Sequence, residues 1–305
     1  MLQEIYQIPE VALRCYKKNK KLNLPVNVPY LGMGSSYFAL LAIKYQGINI
    51  QCELASEYFN FLSQNKKAPL GVLISQSGSS SEVLWCKELF DEYLSIVNYE
   101  NTQLSKSNRL KEEILIHAGK EDHSATKSYV NTLITLYNGF GIEVKQAIEV
   151  LTNKQKEYEE WGKSIADKIY SLIQQNKMKA IYIIGSGVNI STINQAALIL
   201  TECTKLPVIA LPTAQYDHGP KEAAKDSVVI GVNNNGIDKS RINNLLKTVR
   251  LADANTFELF DDLAEENLTP ITSIVPFNYL AYYLQKRLGI KEIFSVGGKV
   301  TTVKI

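Results

Sequence analysis

The residues in this chain best suited to chemistry form a serine-rich segment between an apolar strand and a helix. Val72-Leu73-Ile74 predicts a buried strand, and Ser75-Gln76-Ser77-Gly78-Ser79-Ser80-Ser81 follows it. Small side chains let the backbone approach a ligand closely, hydroxyls donate to phosphate oxygens, and N–H groups at a helix start favour an anion. The segment predicts a metal-free phosphate monoester site. A serine-rich helix cap without a ligand is an equal alternative on this segment alone.

A second hydroxyl cluster follows the first apolar strand. Gly34-Ser35-Ser36 comes after the strand predicted at residues 26–31. Ligands of open α/β sheets bind at the carboxyl edge, where both segments are expected. This shared position favours the phosphate interpretation. Neither segment is a Walker A loop, because no Gly-Lys-Ser/Thr follows.

A third turn of this kind occurs later in the chain. Gly185-Ser186-Gly187 follows the apolar strand Ala180–Ile184, but the third glycine of a dinucleotide fingerprint is missing. We therefore do not expect a nicotinamide cofactor. The order strand, Gly-Ser-Gly turn, helix resembles that at Tyr30–Ser36. Duplication of one unit is favoured over the general pattern of doubly wound proteins.

Strands and helices must alternate for these turns to share an edge. Apolar runs predict strands at residues 26–31, 48–54, 70–74, 93–98, 114–117, 180–184, 206–211 and 228–232, with a helix from Glu82 to about Phe90. Residues 125–175 are expected to form two helices that close the first lobe. The fold class is α/β, with mainly parallel sheets flanked by helices, and the predicted domains are residues 1–150 and 151–305.

Composition excludes several classes of protein. The 305 residues contain 33 Lys plus Arg and 31 Asp plus Glu, so concentrated positive charge for nucleic acid or a membrane surface is not expected. The chain contains only three histidines, so a His-rich metal site is not expected, and no other metal or cofactor is expected. Cys15, Cys52, Cys86 and Cys203 lie in or beside apolar stretches, which predicts buried, reduced thiols. No apolar run approaches the roughly 20 residues of a membrane span, and the N-terminus does not resemble a signal peptide, so a cytoplasmic location is expected.

Several segments together carry a resemblance to a known family. The segment Ile74–Gly78, then Ala118-Gly119-Lys120-Glu121 and Thr126-Lys127, resembles the sugar isomerase (SIS) domain. Further matching segments are Glu4-Ile5 with Pro9, Ala55-Ser56-Glu57-Tyr58, Ala197-Leu198 to Glu202, and His218-Gly219-Pro220. The likeness is to the isomerase half of glucosamine-6-phosphate synthase and to stand-alone glucosamine-6-phosphate deaminases. It covers nearly the whole chain and implies two SIS domains, each a flavodoxin-like three-layer sandwich.

The resemblance implies catalytic roles for Glu202, His218 and Lys299. A carboxylate can move the proton between sugar carbons 1 and 2, and an imidazole can assist ring opening. Lys299 matches the family's tail lysine, which polarises or captures the open-chain carbonyl. The competing interpretations are a solvated carboxylate, a turn histidine and an exposed tail lysine, with Lys304 as a second tail candidate.

The resemblance also assigns the substrate-binding residues. These are Gly34, Ser35, Ser36, Ser75, Gln76, Ser77, Ser80 and Ala125. Ala125 stands where the family has a serine, although Ser124 is adjacent, so one contact to the sugar phosphate is in question. Between Glu202 and His218, Ile209 and Gln215 replace acidic residues usual in the synthase, so substrate preference could differ.

The expected activity is aldose–ketose isomerisation and deamination, converting glucosamine 6-phosphate and water to fructose 6-phosphate and ammonia, or the reverse. The family's glutaminase domain is not recognised.

The alternatives to this activity are a fructosamine-phosphate deglycase with a roomier pocket and a non-catalytic sugar-phosphate sensor. Retention of Glu202, His218 and Lys299 weighs against the sensor, and the lack of a basic or helix-turn-helix segment weighs against a DNA-binding regulator. The family implies a homodimer with the site near the subunit boundary.

Overall fold

The computed structural model describes residues 1–64 and 66–303 of the chain. The strands are β1 Pro29–Gly32, β2 Gln51–Leu54, β3 Ala68–Ile74, β4 Phe90–Val97, β5 Leu110–Leu115, β6 Ile181–Gly185, β7 Val208–Pro212, β8 Val228–Asn233 and β9 Asn255–Phe260. The helices are α1 Leu2–Tyr6, α2 Ile8–Lys18, α3 Gly34–Tyr45, α4 Ala55–Glu57, α5 Ser81–Trp85, α6 Lys127–Gly139, α7 Lys145–Asn153, α8 Gln155–Gln174, α9 Asn189–Thr204, α10 Thr213–Asp217, α11 Lys239–Leu251, α12 Thr269–Thr272 and α13 Ile274–Arg287.

The chain divides into two compact units. The first unit comprises Gln7–Val144 and the C-terminal segment that begins at Phe294; the second comprises Met1–Tyr6 and Lys145–Ile293. This division differs from the predicted boundary between residues 150 and 151, because both chain ends pack with the unit that is distant in sequence. The Tyr6 hydroxyl, for example, donates to the Glu159 carboxylate at 2.8 Å within the second unit.

The first unit contains a five-stranded parallel sheet in the order β2-β1-β3-β4-β5. Its inner strands are continuous apolar runs, with Tyr30, Leu31, Val72 and Leu73 fully buried, as expected for strands covered on both faces. The strand order reverses between β1 and β3. This is the order of flavodoxin-like folds, in which the reversal marks the ligand-binding crevice.

The second unit contains a four-stranded parallel sheet in the order β7-β6-β8-β9. Helix α9 packs against β6 and β7, and α13 packs against α8 and α9. Two parallel sheets flanked by helices confirm the predicted fold class. Among the described residues, no helix combines the length and apolar character needed to cross a bilayer.

Two predicted helical regions differ from the structure. The helix expected from Glu82 to about Phe90 ends at Trp85, and a 3-10 turn, Cys86–Leu89, leads into β4. Phe90 is already a strand residue, because it pairs with Ala68 and its ring covers the face of Gly71. The region 125–175 holds three helices, α6 to α8, where two were expected.

The four cysteines are buried thiols outside any disulfide, as predicted. Burial raises the pKa of Cys15, Cys52 and Cys86 to about 12. Because the thiolate is the nucleophile, these thiols act as small apolar side chains of the core.

Candidate active site

The candidate site of the first unit lies at the carboxyl edge of its sheet, where the strand order reverses. Gly32 at the end of β1 is paired with Ile74 at the end of β3. The segments Gly34–Ser36 and Ser75–Ser80 therefore leave adjacent strands, whose backbones lie about 4.8 Å apart. The structure brings the two predicted hydroxyl clusters to one edge of one sheet.

The serine loop, Ser75–Ser80, is held by its own polar groups. Ser75 is buried, its N–H donates to the Ile96 carbonyl, and its hydroxyl lies 3.1 Å from that of Ser80. The Ser79 N–H donates to the Ser77 hydroxyl at 3.2 Å. Gln76, Ser77 and Ser80 are half-buried, so solvent and ligand can still reach them. The loop is thus preorganised, with hydroxyl groups at its surface.

Gly78 is required by the shape of the serine loop. Its φ is +61°, a left-handed conformation that favours glycine. Its N–H donates to the Ser75 carbonyl at 2.9 Å, and its carbonyl accepts from the Leu104 N–H at 2.9 Å. A Cβ atom at this position would lie 2.3 Å from the Thr102 side chain. Both conformation and space therefore exclude other residues.

The helix that can contribute a dipole to this edge is α3. It has 12 residues and begins at Gly34, with Ser35 and Ser36 half-buried in its first turn. By contrast, α5 after the serine loop has only five residues, so the predicted help from its dipole is small. The groups at this edge that are suited to an anion are the hydroxyls, the loop N–H groups and the start of α3.

The loop between β5 and α6 lies beyond the same edge and contains a buried carboxylate, Glu121, for which the sequence predicts no separate role. Glu121 accepts hydrogen bonds from the N–H groups of Thr126 (2.9 Å) and Ser128 (3.2 Å) and from both hydroxyls of these residues. It therefore caps the start of α6. Ala125, the predicted substrate-binding residue, is half-buried in this loop beside the buried Ser124.

Lys299 belongs to the first unit and contacts this loop. Its ammonium group donates to the Glu121 carbonyl at 2.6 Å and to the Glu121 carboxylate at 3.2 Å. The tail around it is fixed on the start of α5: the Ser81 N–H donates to the Thr301 carbonyl, and the Val303 N–H donates to the Ser81 hydroxyl at 2.8 Å. Lys299 and the serine loop thus share one compact unit. Lys304 lies outside the described residues.

Glu202 and His218 belong to the second unit, at different places. Glu202 is half-buried in the last turn of α9, and His218 is exposed directly after α10. A three-residue connection leads from α9 to β7, so Glu202 lies near the amino end of that strand. His218 follows its carboxyl end, about 16 Å along a five-residue strand. The second unit does not bring these two side chains together.

The carboxylate next to His218 has other partners. Asp217 accepts from Lys221 at 2.9 Å and from Arg241 at 3.4 Å. The hydrogen bond from Lys221 lowers the pKa of Asp217. Asp217 is therefore engaged by cations, and the structure shows no carboxylate that orients the His218 imidazole among the described contacts.

The corresponding edge of the second sheet has a different chemistry. The Ser186 hydroxyl, after β6, lies 2.9 Å from the Thr213 hydroxyl and donates to the Asp238 carboxylate. A carboxylate at this point repels a phosphate. The two sheets therefore share the order of four strands, but the second has a carboxylate at the edge where the first has the serine loop. Within residues 1–64 and 66–303, no three His, Cys, Asp or Glu side chains form a group suited to a metal ion.

Fold and loop together define a class: a two-unit α/β protein with a serine-lined loop at the reversal of one parallel sheet. Glutamine–fructose-6-phosphate aminotransferase (isomerizing) of Pyrococcus horikoshii is 27% identical over 327 residues, covering 93% of this chain and 54% of that protein. The chain spans about half the length of the curated relatives it matches. No family model matches the chain.

Solved structures share the fold over almost the whole chain. The C-terminal domain of glucosamine-fructose-6-phosphate aminotransferase from Francisella tularensis gives a TM-score of 0.76 at 19% identity and covers 95% of this chain and 96% of that one. Glucosamine-6-phosphate deaminase from Thermotoga maritima gives 0.77 at 21% identity and covers 95% of each chain. The predicted resemblance to the double-SIS family is confirmed, and at these identities the structural likeness establishes the fold.

Proposed function

We propose that this chain is an aldose–ketose isomerase and deaminase that converts glucosamine 6-phosphate and water to fructose 6-phosphate and ammonia, or runs the reverse reaction. The observation that carries the proposal is the preorganised serine loop beside Gly34–Ser36 at the reversal of the first sheet. The similar proteins include an isomerizing aminotransferase and a glucosamine-6-phosphate deaminase, which supports the same substrate class.

The proposed roles follow the chemistry of the reaction. The phosphate is held by Ser35, Ser36, Ser75, Gln76, Ser77 and Ser80. His218 assists opening of the sugar ring, and Glu202 moves the proton from carbon 2 to carbon 1. Water then adds at carbon 2 and ammonia leaves, which yields the ketose. Lys299 polarises or captures the open-chain carbonyl. None of these steps requires a nucleotide.

The direct test is to incubate the protein with glucosamine 6-phosphate and to measure ammonia and fructose 6-phosphate together. Equal amounts of the two products would support the proposal. Release of an amino acid from a fructosamine 6-phosphate, with no turnover of glucosamine 6-phosphate, would replace it with a deglycase. Binding of both sugars without turnover of either would indicate a sensor.

Replacing Ser77 by Ala should raise the KM for the sugar phosphate about tenfold and leave kcat within about twofold, because phosphate is held equally in ground and transition states. Ser77 is half-buried and its hydroxyl accepts the Ser79 N–H two residues away, so the loop should keep its fold. Steady-state kinetics measure the two constants. Ser79→Ala is the matched control, since the Ser79 hydroxyl donates to the Ser77 carbonyl. An unchanged KM in Ser77→Ala would count against the loop.

The separation of Glu202 and His218 along β7 supports a second part of the proposal, a homodimer in which each copy supplies one of them to a shared sugar. Glu202→Gln and His218→Ala should then each be inactive alone. Mixed and reassociated one to one, they should recover about a quarter of wild-type activity, because half of the dimers are mixed and each holds one intact pair. No recovery, with mixed dimers verified by mass spectrometry, would show that both residues act within one chain.

A further inference from the structure

The first unit has a cavity of about 360 Å³, and no residue of the serine loop lines it. It lies along the outer edge of β5, the last strand of the sheet, where the chain leaves the end of α2. Asn19 borders the cavity, and its side-chain amide donates to the Leu115 carbonyl at 3.0 Å. Cavities of this size are typical of sites for small molecules.

Charges of both signs line this edge cavity. Lys18 and Lys21 come from the end of α2 and the turn after it, and Glu112 and Glu113 come from β5. Within the part of the chain that the structure describes, none of the four forms an ion pair or a side-chain hydrogen bond. The edge cavity therefore presents positive and negative groups that do not neutralise one another.

One carboxylate oxygen of Glu113 is the clearest sign of a ligand. The side chain is half-buried, its Oε2 atom is buried, and no described residue donates a hydrogen bond to that atom. Burial raises the pKa of Glu113, and the nearby Glu100 adds to the effect. A carboxylate oxygen that has lost its hydration is costly, and a cation beside it offsets that cost. The site therefore favours a ligand that brings an ammonium group to this oxygen.

His117 lines the cavity where β5 leads into the loop before α6. Burial lowers the pKa of this imidazole, and the charges of Lys18 and Arg14 lower it further. The imidazole is therefore uncharged at neutral pH, and the lysines supply the positive charge of the cavity. The imidazole and the two carboxylates do not form a group suited to a metal ion. An organic ligand with two charges fits the lining better than a metal does.

Aliphatic side chains complete the lining. Leu22 and Leu115 are half-buried, and Ile114 is buried beside them. A ligand with an apolar part can cover the surface that the two leucines still expose, which is favourable in water. The cavity thus combines a cationic side, an anionic side and an apolar patch.

We propose that this cavity binds a free α-amino acid with an aliphatic side chain. The ammonium group of the amino acid lies beside Glu113, and its carboxylate lies beside Lys18 and Lys21. Its side chain packs against Leu22 and Leu115. The inference goes beyond the proposed function and does not depend on it, because no residue of this cavity has a role in the proposed reaction.

Isothermal titration calorimetry of the full chain with leucine, in the absence of sugar, tests the ligand class. We expect one leucine per chain with a Kd of about 1 mM or lower. N-acetylleucine lacks the ammonium group and leucinamide lacks the carboxylate, so each should bind at least about tenfold more weakly. Glycine should also bind about tenfold more weakly, because it has no aliphatic side chain.

Absence of leucine binding would overturn the proposal. Equal binding of leucine and N-acetylleucine would show a simple anion site, and this would overturn it as well. Equal binding of leucine and glycine would contradict the part that concerns the aliphatic side chain.

Two pairs of variants place the ligand. Lys21→Met and Glu113→Gln should each weaken leucine binding about tenfold, because each removes a charge that faces the ligand. The matched controls are Lys20→Met and Glu92→Gln, since both residues are exposed neighbours that do not line the cavity. They should leave the Kd within about twofold of wild type. Thermal unfolding verifies that every variant is folded. Unchanged leucine binding in both cavity variants would place leucine elsewhere and overturn the proposal.

Discussion

Glu202→Gln is expected to lower kcat for glucosamine 6-phosphate about a thousandfold and to change the KM less than threefold, since proton transfer by a positioned base contributes factors of this size. The substitution keeps shape and hydrogen-bonding capacity but removes the base. Glu202 is half-buried in the last turn of α9. The end of this helix is held by Lys205, whose ammonium group donates to the Glu202 carbonyl at 2.9 Å. The helix end should therefore survive the change.

The measurement is a steady-state assay of fructose 6-phosphate formation with thermal unfolding of the variant alongside. Glu160→Gln is the matched control, because Glu160 is an exposed glutamate of α8 in the same unit. It should behave as wild type. A Glu202→Gln enzyme that keeps more than about a third of wild-type kcat would exclude Glu202 as the base.

The second large effect is expected at Gly78. Gly78→Ala should lower the free energy of unfolding by about 3 kcal/mol, from the strain of a left-handed alanine and from overpacking. The new Cβ would meet the Thr102 side chain at 2.3 Å. The serine loop would have to move to relieve this collision with Thr102, so the KM for the sugar phosphate should rise as well. Urea unfolding and steady-state kinetics measure the two effects.

Gly187 offers a control with the same backbone and different surroundings. Its φ is +57°, close to that of Gly78, but no atom lies within 4 Å of an added Cβ. Gly187→Ala should therefore cost only about 1 kcal/mol, the contribution of the backbone alone. An equal loss of unfolding free energy in Gly78→Ala and Gly187→Ala would show that contact with Thr102 does not constrain the serine loop.

Much of the fold could be predicted because parallel strands are apolar runs. The segment Leu70–Ile74 was expected as a strand and lies within β3, and the turns after β1 and β3 were expected at one edge and lie there. Strand starts were less accurate. Residues 26–28 were included in the first strand, but Asn27 has a φ of +60°, and regular pairing begins only at Pro29. An apolar pattern does not show such a backbone conformation.

The parts that escaped prediction depend on contacts between distant residues. The tail was assigned to the second domain because it follows that domain in sequence, whereas Lys299 and Val303 contact Glu121 and Ser81 of the first unit. Glu121 was noticed only within a family-like segment. Its burial and its role as a cap follow from Thr126 and Ser128 folding back onto it. No local spacing rule identifies a cap that lies five and seven residues ahead of the N–H groups it accepts.

The other assignments depend on the claim that the serine loop is the phosphate-binding site. A crystal structure of the protein soaked with fructose 6-phosphate tests it most directly. We predict the phosphate oxygens within about 3 Å of hydroxyl or N–H groups of residues 75–80, beside the start of α3. A phosphate bound elsewhere, for instance beside Ser186 and Asp238 on the second sheet, would contradict the account.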